Sequence, residues 1–272
     1  MITGARGRLM HSNRLKRIEM LLIISLLNYV ALFGALAENI NYFSPDQTVA
    51  EPYNFAVFPN AGMEISINGE VYQISSKFSS TADRMDKWNY FGKNCCQWQP
   101  QIQKVGPYKY KITADDSEYK LIRCIKLFPY HIEIEDDFIN LTDRIIGIKV
   151  ENALIPPQDL KKIFRLAGND CLGIDKVTSR AYAPYVQVAT EKTSVGMIAE
   201  DDVYRVHSSL YYQQNPVEEA GIRDERFGLA PNAQYSMRWS LYPVSKTDHF
   251  SFINRVRRVW NINYLIPGPF TF

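Results

Sequence analysis

The chain has 272 residues with 31 Lys and Arg against 29 Asp and Glu, and this near-even balance, a formal charge of +2, excludes a dedicated nucleic-acid binder. With 46% hydrophobic, 13% aromatic and 22% charged residues the composition excludes a largely disordered chain, and 14 Gly with 14 Pro excludes collagen-like or Pro-rich sequence. The length fits one large domain or two small ones.

The first element is an export segment. Arg6, Arg8, Arg14, Lys16 and Arg17 precede an apolar run over 20–36, which leads into Ala35-Leu36-Ala37, with small residues where a signal peptidase requires them. Cleavage is expected before Glu38 rather than retention as a membrane anchor, because of that small-residue ending. The expected location is periplasmic or secreted. Residues 1–37 hold five basic side chains and one acidic, Glu19, so the remainder is mildly acidic. Such a domain has no general attraction for nucleic acid or anionic lipid, so a neutral partner is expected, with no membrane association after cleavage.

Four cysteines follow: Cys95, Cys96, Cys124 and Cys171. Export permits a disulfide, but adjacent Cys95 and Cys96 cannot bond each other without strain; one long-range bridge and four free thiols both remain open. No C-x-x-C spacing is present, so neither a zinc site nor any cofactor is expected.

Beyond residue 38 the apolar residues recur with period two, the signature of strands buried on one face. Ile65, Ile67 and Val71 flank Asn68-Gly69, a dipeptide that tolerates positive φ at both turn positions and so predicts a hairpin. Strands are expected over 108–113 and 119–128 with a turn at 114–118. In 131–140, Ile132, Ile134 and Phe138 take one face and His131, Glu133, Glu135 and Asp137 the other. Further strands are expected over 145–150, 181–190, 195–199, 203–212 and 234–242, where Tyr235, Met237, Trp239 and Leu241 share a side. Around ten such strands predict a large antiparallel sandwich. Two helices interrupt it: one over 160–167, after Pro156-Pro157 and stopped by Gly168, and one over 248–259 with Asp248 as cap.

Three stretches together resemble a known family: HIEIEDDFINLTD at 131–143 followed by Ile146-Gly147-Ile148, VGMIAEDDVYRV at 195–206, and FINRVRRVWNIN at 252–263 followed by Pro267-Gly268-Pro269-Phe270. They are similar to exported bacterial glycoside-hydrolase-like proteins in which a galactose-mutarotase-like supersandwich precedes a catalytic (β/α) barrel. The resemblance covers about residues 55–272. It implies an all-β supersandwich over 38–247, then a helix and connector over 248–272 toward a C-terminal domain that the 272 residues do not include. It also implies a catalytic partner domain, C-terminal or separately encoded. A truncated product is the simpler expectation.

Mutarotation pairs an acid and a base, commonly histidine and carboxylate. His131 and His207 lie on expected strands without a motif for that role. Glycoside hydrolysis needs two converging carboxylates, and neighbours on a strand point to opposite faces, so Asp201 and Asp202 converge only if a turn redirects them. Asp201, Asp202 and His207 are therefore the weakest candidates, and the chain alone is not expected to be catalytic. Sugar binding is better supported, since pyranose C–H groups stack on aromatic rings. Trp88, Tyr90 and Trp98 lie in a polar stretch, 79–103, that reads as a long loop; Tyr182, Tyr185, Tyr211 and Tyr212 are second candidates. An oligo- or polysaccharide is the expected partner. The plainer account of Trp88 and Trp98 is that they cover one end of the sandwich. Arg255, Arg257, Arg258 and Trp260 are expected to dock the further domain or to hold an anion.

Overall fold

The computed structural model describes residues 41–43, 53–79, 81, 87–92, 98–179 and 183–262. The expected export segment with its cleavage before Glu38, and also Cys95, Cys96, Tyr182 and residues 263–272, lie outside the described residues. The strands in chain order begin with β1 (Asn41–Phe43), β2 (Tyr53–Val57), β3 (Met63–Ile67), β4 (Glu70–Ser79), β5 (Trp88–Phe91) and β6 (Gln101–Gly106). Next come β7 (Lys109–Asp115), β8 (Tyr119–Leu127), β9 (Ile132–Asn140), β10 (Ile146–Ile155), β11 (Ile163–Leu166) and β12 (Asn169–Asp170). The last are β13 (Lys176–Ser179), β14 (Tyr185–Ala189), β15 (Ser194–Ala199), β16 (Ser209–Gln213), β17 (Glu219–Leu229) and β18 (Gln234–Val244). Two helices accompany them, α1 (Asp202–His207) and α2 (His249–Val259).

These strands form two nine-stranded antiparallel sheets. The first runs β1-β2-β3-β4-β10-β17-β16-β13 with β5 paired to β4, and the second runs β12-β11-β14-β15-β18-β9-β8-β7-β6. The expected all-β sandwich is what forms, with more strands than the alternation alone suggested. Its core is the inner faces: Phe78, Phe138 and Phe227 meet edge to face, with ring centroids 5.9 and 5.0 Å apart.

Several local expectations hold. Asn68 and Gly69 both take positive φ, and Ile67 pairs with Glu70, so the hairpin closes through two residues. In β9 burial alternates along the whole strand, but Asp136 falls on the inner face, where an apolar residue would be expected. There the Arg123 guanidinium grips it at 2.6 and 2.9 Å, Trp239 Nε1 donates to it at 3.0 Å, and neither charged side chain is solvent-exposed. Arg123 also donates to Ser76 and Asn152 of the first sheet, and Asn152 donates to the Tyr204 hydroxyl. A buried charge persists only when matched in this way. Helix α2 forms where expected, with the Asp248 carboxylate accepting from Ser251 N at 2.8 Å. Phe252 lies over Gly196 of β15, where a Cβ would sit 2.0 Å from its ring.

Three expectations fail. Residues 160–167 are not a helix: Ile163–Leu166 pair along β14 with Phe164 and Leu166 turned inward, and Ala167-Gly168, both at positive φ, make a tight turn into β12. Helical spacing there coincides with a short buried strand, and the β14 edge decides between them. Residues 203–212 are not one strand: α1 occupies 202–207 because Asp201 caps it, accepting from Tyr204 N at 3.0 Å, and only Tyr204 of that turn is buried. The stretch 79–103 is not one loop, since β5 and the start of β6 lie within it. Strand β17 was not anticipated at all. Its Arg223, Asp224, Glu225 and Arg226 hide the alternation that a central strand usually carries.

Candidate functional site

Strand pairing assembles one polar surface from residues far apart in sequence. On the first sheet Tyr90 pairs with Lys77, Lys77 with Glu151, and Glu151 with Arg223, a row running across β5, β4, β10 and β17. One step along, Tyr211 pairs with Gly221 and Gln213 with Glu219. Because side chains alternate, and Phe78, Phe91, Asn152 and Ile222 beside them enter the core, this set faces away from the sandwich. Trp88 of β5 shares that face.

The row is recessed although it faces outward. Side-chain exposure is 17% for Lys77, 7% for Glu151, 17% for Arg223 and 3% for Glu219. Lys77 Nζ lies 2.9 Å from Glu151 Oε2 and 3.8 Å from Glu219 Oε1. Arg223 Nε lies 2.8 Å from Glu151 Oε1, with its N–H directed elsewhere, so this contact is an ion pair and not a hydrogen bond. The guanidinium sits 4.6 Å from the Tyr211 ring centroid, a cation–π distance. The Tyr211 hydroxyl and Gln213 Nε2 donate to Glu219 Oε1 at 3.4 and 2.8 Å. Burial first, then the Glu219 and Glu151 charges, push the Tyr211 hydroxyl well above the ordinary phenol range, so it remains a donor. Gly221 makes room for this ring: a Cβ there would meet Asn152 O at 2.1 Å and Tyr211 at 2.9 Å.

The sequence-derived candidates divide accordingly. Trp88 and Tyr90, half-buried, stand at one end of the row and Tyr211 at the other, but Tyr211 is 2% exposed with the Arg223 guanidinium on its ring, so it shares the face without offering a ring to a sugar. Trp98 does not join them. It is 3% exposed, stacked on Phe78 at 5.6 Å and packed on Phe91 and Tyr119, so the plainer account of it as a cover over the core is the correct one. Tyr212 turns inward against Phe164, at 4.7 Å, and has no free ring face for a sugar. Tyr185 packs under α2 against His249 and Phe252. Lys77, Glu151, Glu219 and Arg223 were missed, since no local motif marks residues that meet only through strand pairing.

The weak catalytic candidates stay apart. The Asp201 carboxylate caps α1 and also accepts from the Tyr235 hydroxyl and from Arg238 N at 2.8 Å, while Asp202 is exposed, so the pair does not converge. His207 Nδ1 lies 3.8 Å from Asp224, whose Oδ2 has no hydrogen-bond partner; burial raises that carboxyl above its usual range. His131 is held between Phe128 and Tyr242, and burial lowers its pKa, keeping the ring neutral. Among the described residues no cluster of His, Cys, Asp and Glu could hold a metal ion, and Cys124 and Cys171 are free thiols. Arg255, expected on a docking surface, is instead buried: it donates to Pro243 O and lies 5.2 Å from the Tyr130 ring centroid, since its stem is on the face of α2 that meets β18. Arg257, Arg258 and Trp260 are exposed.

No family model and no curated protein matches the sequence. Solved structures do match the fold. The Slr1438 protein of Synechocystis sp. PCC 6803 aligns with a TM-score of 0.53 at 8% identity, covering 76% of this chain and 96% of its own. A galactose mutarotase-like protein from Lactobacillus casei ATCC 334 aligns with a TM-score of 0.50 at 7% identity, covering 75% of this chain and 100% of its own. At such identity the likeness concerns architecture alone. The two facing antiparallel sheets of this chain form a galactose-mutarotase-like β-sandwich.

Proposed function

We propose that the chain is an exported, carbohydrate-active accessory domain that binds or orients a glycan on the outer face of the first sheet, beside a separate glycoside hydrolase catalytic domain. The observation that carries this reading is the pair of half-buried rings Trp88 and Tyr90 beside the outward row Lys77, Glu151 and Arg223. Rings suit the C–H faces of a pyranose, and the partly exposed Lys77 and Arg223 beside them suit its hydroxyls. Binding is favoured over catalysis because Glu151 has a cation at each oxygen and Glu219 accepts from Gln213 and Tyr211. Neither is placed to take or give a proton to a sugar, which both epimerisation and hydrolysis need. Export with cleavage before Glu38 belongs to the same reading, and so does docking of the catalytic domain through exposed Arg257 and Trp260.

Calorimetric titration against a panel of neutral oligosaccharides tests it. At least one glycan should bind the parent, and Trp88→Ala and Tyr90→Ala should each weaken it by about tenfold, the scale of one lost aromatic stacking contact. Unchanged affinity in both variants would remove this face from consideration. Intact-mass measurement of the exported protein tests the cleavage.

A further inference from the structure

On the opposite side of the sandwich a small recess carries charge of one sign. It lies between the end of β18 and α2, has a volume of about 160 Å³, and is lined by Val244, Lys246, Ser251, Asn254, Arg255 and Arg258. Three of these six are cations and none is an acid. The sequence places Lys246 just ahead of the helix, whereas Arg255 and Arg258 stand one turn apart on it, so three positive groups converge from two elements.

Arg255 is committed to Pro243 O and the Tyr130 ring, and the nearby Asp248 carboxylate offsets part of the Lys246 charge, which leaves the recess net positive. Asp248, the acid whose charge Lys246 influences, uses Oδ1 to accept from Ser251 N at 2.8 Å and Oδ2 to accept from Ser251 Oγ at 2.6 Å. Among the described residues no carboxylate forms an ion pair with Lys246 or Arg258. Cations in the last turn of a helix are favoured by its carbonyl end, which accounts for Arg257 and Arg258. It does not account for Lys246, which adds positive charge beside the helix start, where the peptide dipoles are already positive. Like charges gathered around a concave site are stabilised when an anion enters.

We propose that this recess is an oxyanion site that takes the sulfate or carboxylate substituents of an acidic polysaccharide. Arg258 and Lys246 supply charge-assisted donors, the Asn254 amide supplies a neutral one, and the small volume admits a single tetrahedral or planar oxyanion while the sugar remains outside. This deepens the carbohydrate reading by adding a preference for acidic chains, at a site on the other sheet from the aromatic row.

The test uses inorganic sulfate, dextran and dextran sulfate as probes, with the parent and a Lys246→Ala/Arg258→Ala double variant. Expected are saturable sulfate binding by the parent and a preference for dextran sulfate over dextran. The double variant should lose both by about tenfold or more, as removal of two charged donors implies. Its neutral-oligosaccharide affinity should be unchanged, which separates this site from the aromatic row. Equal sulfate binding by parent and double variant overturns the proposal. A parent that binds inorganic sulfate but prefers dextran sulfate no more than the double variant does also overturns it, in favour of a site for a free oxyanion.

Discussion

Arg123 of β8 and Asp136 of β9, cross-strand partners on the inner face of the second sheet, form a two-pronged ion pair at 2.6 and 2.9 Å, with no part of either side chain exposed. The guanidinium is walled by the rings of Phe78, Phe91 and Trp239, with centroids 5.1 to 5.7 Å away. Its remaining donors reach Ser76 and Asn152, and Asn152 reaches Tyr204 of α1. The pair therefore links both sheets and the short helix through one chain of hydrogen bonds. Desolvating two charges offsets most of their attraction, so the matched pair adds little net stability of its own.

Breaking one half of that pair should be costly. Asp136→Ala leaves a buried guanidinium unmatched, and a loss of about 3–5 kcal/mol is expected by urea denaturation. The double variant Arg123→Met/Asp136→Leu should lose less than the single one. A single-variant loss under 1 kcal/mol would show that the network is not held as described.

The two tryptophans of 79–103 should behave oppositely. Trp98→Ala removes a ring packed on Phe78, Phe91 and Tyr119, and is expected to cost about 3–5 kcal/mol. Trp88→Ala, on the outer face, should change stability by less than about 1 kcal/mol while weakening glycan binding. Thermal unfolding beside titration separates the two effects.

Asp224 gives a pH signature. Burial raises its folded-state pKa above the usual carboxylate value of 3.8, so the native state holds its proton more tightly than the unfolded chain. Its contribution is then fully present below pH 3.8 and is lost as pH rises through the folded value. Asp224→Asn keeps an oxygen to accept from Arg226 N and should stabilise the protein at pH 7, with the advantage vanishing in acid. Chemical denaturation of parent and variant from pH 3 to pH 7 checks the sign, and a parent that is uniformly more stable would contradict it.

Gly196 reports on how α2 is seated. A Cβ there would come within 2.0 Å of the Phe252 ring, and the ring is fully buried beside Tyr242. Gly196→Ala should push the helix away from β15, with a loss of about 1–3 kcal/mol and faster proteolysis near 249–259. An unchanged cleavage rate would mean that the helix moves without loosening.

How far the sequence could be read depended on whether the deciding contacts were local. Asn68-Gly69, the alternation of β9 and the Asp248 cap each involve residues a few positions apart, and all formed as expected. The helix expected over 160–167 failed because Phe164 and Leu166 also alternate inward as a strand, and the edge of β14 settled the matter. Strand β17 was hidden by its charges, of which Arg223 is matched by Glu151 while Glu225 and Arg226 are exposed.

From the sequence alone came the two-faced strands, the sandwich class, one hairpin and one helix, since period-two burial, turn chemistry and capping act within a single segment. The resemblance added the supersandwich. Only the tertiary structure decided that Trp98 and Tyr212 are core while Trp88, Tyr90 and Tyr211 share a face with Lys77, Glu151, Glu219 and Arg223. The reason is the strand order β4-β10-β17-β16, which places residues 77, 151 and 223 side by side. Hydrogen bonding between strands carries that information, and no local pattern of residue types encodes which strand will lie next to which.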